Sequence, residues 1–424
     1  VKKILIIGSG GREHALAAHL LENESVSTVY VALGNRGMQL TSNLEVVLDL
    51  DVKNPDHITQ FCRSQFIDWV LVSTDNALAS GLVNELQNRG ILCFGPTREA
   101  AQIESSKIFS KKLMQEFNIP TAKELFAGSW DKAKKFLDNV LNVEAPLVLK
   151  ADGLALGKGV IVCPSSLKAK EEIYKLQDHS KILIEEYLQG NEVSFFYFVD
   201  GDHYLFFGAA CDHKRLHDGD EGPNTGGMGA FSFDTGPELI NEVNQKILKP
   251  TLEALKSYHI SFHGMLFIGL MLTKEGPKVI EFNARFGDPE TQCLLPLFPK
   301  GQLLSTFEAV VHRTLSQHKP SWGRLSKKSV HVVKVSYGYP TTHLKLGQKI
   351  YGLENIKTWP ESLKFFSASV GYQEERAINL GGRVLGVTGI GNSLREAREL
   401  AYQGLNQIHF EGEFFRKDIG CKRF

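Results

Sequence analysis

Lys2-Lys3-Ile4-Leu5-Ile6-Ile7-Gly8-Ser9-Gly10-Gly11-Arg12-Glu13-His14-Ala15-Leu16 opens the chain with an unbroken apolar run, a glycine turn and the start of a helical pattern. Four consecutive large aliphatic residues bounded by a glycine read as a strand covered on both faces, the usual state of a strand inside a parallel sheet. The turn from Gly8 through Gly10, Gly11 and Arg12 then presents free amides and a helix dipole, which together make an anion site suited to a phosphate. A tight turn without a ligand is the competing reading. A nicotinamide cofactor fits less well. Glu13 stands where the third glycine of a dinucleotide fingerprint belongs, and the next apolar run ends at Leu33-Gly34-Asn35 without an acid for the ribose. His14 reads as structural.

Moving outward, short β-branched runs at 4–7, 28–33, 69–72 and 91–94 alternate with helical stretches near 12–22 and 78–89, which predicts an open parallel sheet. A turn at Gly95-Pro96 and the polar stretch Ser105-Ser106-Lys107 lead into an amphipathic helix ending near Phe117. The first domain is therefore placed at 1–103, a central one at 104–325, and a small α+β domain at 326–424, where strand, strand and helix follow at 330–335, 383–388 and 393–408. Such a division into α/β and α+β units suits 424 residues.

Composition narrows the partners. Lys and Arg number 48 and Asp and Glu number 48, so no net field draws the chain to nucleic acid. No apolar run approaches the ~20 residues that span a bilayer, and the opening run is too short for the core of a signal peptide. Cys62, Cys93, Cys163, Cys211, Cys293 and Cys421 are scattered without a CxxC pair, against zinc and against a disulfide framework. The expectation is a cytoplasmic protein with neither nucleic-acid nor membrane partners; nothing here specifies an oligomeric state.

Two central segments are too glycine-dense for regular structure: Lys150-Ala151-Asp152-Gly153-Leu154-Ala155-Leu156-Gly157-Lys158-Gly159, and Asp218 through Gly229. In the first, a strand delivers Lys150 and the loop sets Lys158 among glycines, as ATP phosphates require, although no GK[ST] ends it. A surface hairpin with solvated lysines is the alternative. Ile182 to Leu188 reads as a strand bearing Glu185 and Glu186, able to offer backbone to adenine and an acid to a ribose; a solvated edge strand would look the same. In Lys278-Val279-Ile280-Glu281-Phe282-Asn283-Ala284-Arg285, the two-residue period puts Glu281, Asn283 and Arg285 on one face. Two oxygen donors there suit Mg²⁺ carried on ATP, against a cross-strand ion pair as the plainer reading of Glu281. Lys214 and Arg215 read as phosphate partners. His213 and His217 lack the glutamate of a zincin.

In their order, GSGGREHAL, SSK at 105–107, KADGLALGKGV, IEEYLQGNEVS, DHKR at 212–215, GPNTGGMGA, VIEFNARFGDPETQ, GGRVLGVT and RKDIG resemble the phosphoribosylamine–glycine ligase family of ATP-grasp enzymes along essentially the whole chain. The resemblance implies a pre-ATP-grasp domain, an ATP-grasp domain with a lid at about 121–190, and a C-terminal domain. It implies glycine, phosphoribosylamine and ATP as substrates, with Mg²⁺ or Mn²⁺. Lys107, Lys150 and Lys158 would contact the ATP phosphates, Glu185, Leu188 and Glu192 adenine and ribose, and Glu281 and Asn283 the metal. Lys214, Arg285 and Asp288 would surround the acyl phosphate and glycine, and Gly8, Gly10, Gly11, Arg12 and Asp75 the phosphoribosylamine. The chain departs from the family at Ser73 to Leu78, where Gly-Pro-Glu-x-Pro-Leu is usual, in a shorter stretch between Ile173 and Ile182, at Ser367 to Val370, and at Tyr337. The changes at 73–77 motivate one rival, a ligase of the same mechanism using another amine or amino acid; a second, a nucleotide-binding regulator without catalysis, is disfavoured by the presence of Glu281, Asn283, Arg285 and both loop lysines.

Overall fold

The structure, a computed structural model, describes residues 1–139, 145–154, 159–318 and 326–421. The opening run forms β1 (Lys2–Gly8) and its Ile4 to Ile7 are buried. It is the middle of a five-stranded sheet of order β3-β2-β1-β4-β5, with β2 at Val26–Leu33, β3 at Leu44–Val46, β4 at Trp69–Val72 and β5 at Cys93–Phe94. Every pairing is parallel. Coverage on both faces is why these strands read as continuous apolar runs rather than alternating ones. The helical stretch near 78–89 proves to be two helices, Asp75–Ser80 and Leu82–Asn88. Gly81 between them takes φ +86°, and the space a Cβ would need there is filled by the Arg98 guanidinium. The polar Ser105-Ser106-Lys107 is likewise a joint between helices Arg98–Ser105 and Lys107–Glu116, and Ser106 caps the second by accepting the Phe109 amide at 3.1 Å.

A small four-stranded antiparallel sheet follows, of order β6-β9-β7-β8: β6 at Glu124–Ser129, β7 at Leu147–Ala151, β8 at Val160–Cys163 and β9 at Lys181–Glu186. Helices Trp130–Asn139 and Ser166–Glu172 back it, and it has an apolar core of its own around Leu137, Leu149, Ile173, Ile182 and Ile184. Expectations for Lys158 fall outside the described residues.

The remaining strands build an eight-stranded sheet, all of its pairings antiparallel. They are β10 (Asn191–Asp200), β11 (Tyr204–Asp212), β14 (Gly229–Ser232), β15 (His263–Thr273), β16 (Gly276–Asn283), β17 (Lys328–Val335), β18 (Leu363–Ser367) and β21 (Arg383–Gly391), in the order β16-β15-β10-β11-β14-β17-β21-β18. The strands after 326 thus continue the central sheet, β17 lying beside β14 with Gly229 opposite Val332. Helix Leu394–Leu405 packs against β21. The glycine-dense stretch 218–229 is more regular than expected. Its first half pairs in a hairpin of β12 (Arg215–His217) and β13 (Glu221–Asn224), and its end enters β14. The second two-stranded hairpin, β19 (Val370–Gln373) with β20 (Arg376–Asn379), precedes β21. Fully buried Arg416 holds the first hairpin through Asp220 at 2.9 Å and the Arg215 carbonyl at 3.0 Å.

The small sheet joins the large one at its β16 edge, where Thr121 bridges Val279 and the Val279 amide donates to the Pro120 carbonyl at 2.8 Å. The parallel sheet reaches the same region through the turn after β1. There Gly8 has φ +152°, and a Cβ would sit 2.5 Å from Glu13 Cγ, on a side chain already held by hydrogen bonds. Gly8→Ala is expected to lower the urea midpoint by the equivalent of about 1–3 kcal/mol; an unchanged midpoint would show that the turn is not under this constraint.

Candidate active site

Between the small sheet and the β16 edge lies a cleft lined by charge. On the small-sheet side β7 carries Lys150, whose Nζ lies 2.5 Å from Glu185 Oε2 and donates to the Ile280 carbonyl of β16 at 2.9 Å. Lys107, first residue of its helix, donates to the Gly153 carbonyl at 2.8 Å, at the mouth of the glycine-rich loop. Burial lowers the pKa of Lys107 and Lys150 lowers it further, against the pull of Glu281 and Asp152. The Glu185 carboxylate is buried and held between Lys150 and Lys111, so it does not present a free oxygen to the cleft. Leu188 is half-buried in the link that follows β9.

On the large-sheet side, Glu281 and Asn283 share the face of β16 that the two-residue period assigned them, with Asn283 Nδ2 3.3 Å from Glu281 Oε1. Burial works to raise the Glu281 carboxyl, but Lys214, Lys150 and Lys107, with the Asn283 amide, outweigh it and hold the group below its ordinary value. An ionised carboxylate beside an amide oxygen is a donor pair that fits a hard divalent cation completed by phosphate and water. Arg285 continues the row. It donates to Asn283 Oδ1 at 3.3 Å and pairs with Glu104 at 2.9 Å. Asp75, heading its helix, is one of the acids that keep that guanidinium charged. Lys214 pairs with Glu192; burial opposes its charge, but Glu192, Asp212 and Glu281 raise its pKa well above the ordinary value. Asp212 and Glu290 complete the floor. Burial pushes both carboxyls up; repulsion from Asp212 adds to the rise at Glu290, and Glu192 and Glu281 add to that at Asp212.

The N-terminal turn closes the far end of the cleft. Gly10 donates its amide to Glu13 Oε2 at 2.7 Å, and Arg12 Nε donates to Glu13 Oε1 at 2.6 Å, so the anion seen at this turn is the protein's own. Arg12 is buried and also donates to the Phe286 carbonyl at 3.1 Å. Ser73 Oγ lies 2.8 Å from both Glu13 Oε1 and the Ile7 carbonyl. Asp288 faces the turn: a Cβ on Gly10 would lie 3.5 Å from Asp288 Oδ2. Burial works to raise Asp288, but Arg383, at 3.1 Å, with Arg12 and Gln292, holds it below its ordinary value. A small cavity here is lined by Gly11, Asp288, Gln292, His331, Ala368 and Arg383. His14 is buried and its pKa falls to about 3; its Nδ1 accepts the Ser367 amide at 2.8 Å, which leaves Nε2 to donate to Thr41 Oγ1.

Three charged residues of the cleft went unnoticed in the sequence: Lys111, Glu104 and Arg383. Arg383 lies inside GGRVLGVT, so its motif was a signal; Lys111 and Glu104 sit on amphipathic helices where nothing separates them from solvated neighbours. Lys112, the next residue, is indeed exposed.

This arrangement, a small antiparallel sheet folded over the charged edge of a larger one, defines the ATP-grasp class. Biotin carboxylase from Campylobacter jejuni shares the fold, with a TM-score of 0.68 at 14% identity, covering 97% of this chain and 92% of that one. The chain belongs to the phosphoribosylglycinamide synthetase family: its N domain model matches residues 2–104, its ATP-grasp (A) domain 105–291 and its C domain 329–422. Phosphoribosylamine–glycine ligase of Caldanaerobacter subterraneus subsp. tengcongensis is 40% identical, covering 99% of each chain. The crystal structure of phosphoribosylamine–glycine ligase from Thermotoga maritima superposes with a TM-score of 0.80 at 29% identity, covering 98% of this chain and 99% of that one.

The raised Glu290 carboxyl has a consequence for stability. The native state keeps a proton that the unfolded chain, with an ordinary glutamate pKa of about 4.3, gives up, so stability falls as pH rises above that value. Glu290→Gln removes this dependence. Its melting temperature should fall less than that of the parent between about pH 5 and about pH 8; parallel curves would exclude a raised Glu290.

Proposed function

We propose that this chain joins glycine to 5-phosphoribosylamine at the expense of ATP. A glycine carboxylate oxygen bonds to the γ-phosphorus as the bond to ADP breaks, giving glycyl phosphate. The amine nitrogen then bonds to the acyl carbon, phosphate leaves and the amine releases a proton, giving glycinamide ribonucleotide. The observation that carries this reading is full-length similarity to relatives named for that reaction, joined to a cleft in which Lys107, Lys150, Lys214 and Arg285 converge on Glu281 and Asn283.

No side chain need act as a nucleophile; catalysis lies in positioning and in meeting phosphate charge. Lys107, Lys150 and Lys158 are assigned to the ATP phosphates. The backbone around Leu188 is assigned to adenine and Glu192 to ribose, with Glu185 acting through Lys150. Glu281 and Asn283 would hold Mg²⁺ or Mn²⁺, which when bound neutralises phosphate charge. Arg285, Lys214 and Asp288 surround the acyl phosphate and glycine, while the turn from Gly8 through Gly10, Gly11 and Arg12, with Asp75, faces the amine substrate. In a closed cleft the acyl phosphate is kept from water.

The test is to incubate the protein with ATP, Mg²⁺, glycine and freshly generated phosphoribosylamine, omitting each in turn and following ADP and product mass. ADP and glycinamide ribonucleotide formed only in the full mixture are expected. Nucleotide binding with turnover only on another amine or amino acid would overturn the substrate assignment. Glu281→Ala should lower turnover by roughly a hundredfold or more; near-normal turnover at saturating Mg²⁺ would contradict its role. Asp75→Glu should keep or lower the KM for phosphoribosylamine, whereas a large loss with unchanged ATP binding would mean a rebuilt amine pocket.

A further inference from the structure

Lys111 is the least exposed lysine of the cleft, its side chain 1% accessible, and no sequence motif marks it. It sits one turn after Lys107 on the same helix face. Its ammonium pairs with Glu185 Oε1, while Lys150 takes Glu185 Oε2 at 2.5 Å. The two remaining protons of Lys111 go to the Thr121 hydroxyl at 2.8 Å and the Ala122 carbonyl at 2.7 Å, and Thr121 Oγ1 in turn donates to the Val279 carbonyl of β16 at 2.8 Å. An ammonium has three donors, and all three are used.

The charge count gives this geometry its meaning. Lys111, Lys150 and Glu185 together carry one net positive charge in a site largely closed to water. Without Lys111, Lys150 and Glu185 cancel, and the cleft loses the charge that Lys150 contributes. We propose that Lys111 is a positioning residue for nucleotide binding: it neutralises Glu185 so that the Lys150 ammonium remains available to an anionic phosphate. The proposal rests on the assignment of Lys150 to ATP phosphates. Lys111 also fixes Thr121 and Ala122 where the chain enters the small sheet, so the charge is set at the joint between the two sheets.

The test is binding of ADP and of a non-hydrolysable ATP analogue by the full chain, measured calorimetrically for the parent, Lys111→Met, and Lys111→Met combined with Glu185→Gln. Lys111→Met is expected to weaken binding roughly ten- to a hundredfold, the loss of about one charge-assisted hydrogen bond. The double variant, which restores the net charge carried by Lys150, is expected to recover most of that affinity. A structural role alone would leave the double variant as weak as the single one or weaker, since it removes one more buried partner. Melting temperatures of both variants separate lost binding from lost folding. If the single variant folds poorly, the double variant still decides the matter against the parent: nucleotide binding within about threefold of the parent's upholds the proposal, and binding about tenfold or more weaker overturns it. If the parent binds neither nucleotide, the assignment of the cleft to ATP fails; if the parent binds and Lys111→Met binds equally, only this proposal fails.

Discussion

Glu185 meets Lys111 through one carboxylate oxygen and Lys150 through the other, and none of the three side chains is more than 9% exposed. Ions taken out of water cost several kcal/mol each unless partners and hydrogen bonds replace the solvent. Here the replacement comes from carbonyls and a hydroxyl belonging to different parts of the fold: Ala122 at the entrance to the small sheet, Thr121 beside it and Ile280 in β16. The triad can therefore form only when the small sheet, the helix from Lys107 and the edge of the large sheet are correctly placed together. Its electrostatics and the tertiary arrangement require one another.

The same logic extends along the cleft with alternating sign. Glu281 stays ionised because three lysines surround it, and Lys214 and Arg285 stay charged because acids surround them. Glu104, Asp212 and Glu290 are the exceptions, three carboxyls whose cationic neighbours do not offset burial. A site poised to receive a phosphate chain must keep some positive charge in reserve, and the lysines that do so are those whose acidic partners are shared.

Much of this was legible in the sequence where local period and chemistry coincide. The row Glu281, Asn283, Arg285 follows from the two-residue repeat of a strand, and the unbroken Ile4 to Ile7 run from a strand covered on both faces. Helix breaks were less legible, because the apolar period continues through Gly81 while the backbone does not. The glycine-dense stretch at 218–229 misled in the other direction: pairing partners far away, including Arg416, give order that composition alone does not disclose. Lys111 and Lys112 show the limit most plainly. Adjacent and chemically identical, they differ only in which way the helix turns them, and only the tertiary structure separates a buried counter-ion from a solvated charge.

The sheet order carries a consequence for how the chain is made. In the eight-stranded sheet, β14 at Gly229–Ser232 has β11 on one side and β17, about a hundred residues later, on the other. During synthesis the far edge of β14 stays open until Lys328–Val335 emerges from the ribosome, and β17 in turn waits for β21. Such late, long-range pairing is slow and leaves unpaired edges exposed. The nascent protein passes through a stage at which its parallel sheet and small sheet have all of their strands while its central sheet offers a template to any neighbouring chain. That open edge is a hazard set by the topology rather than by the active site.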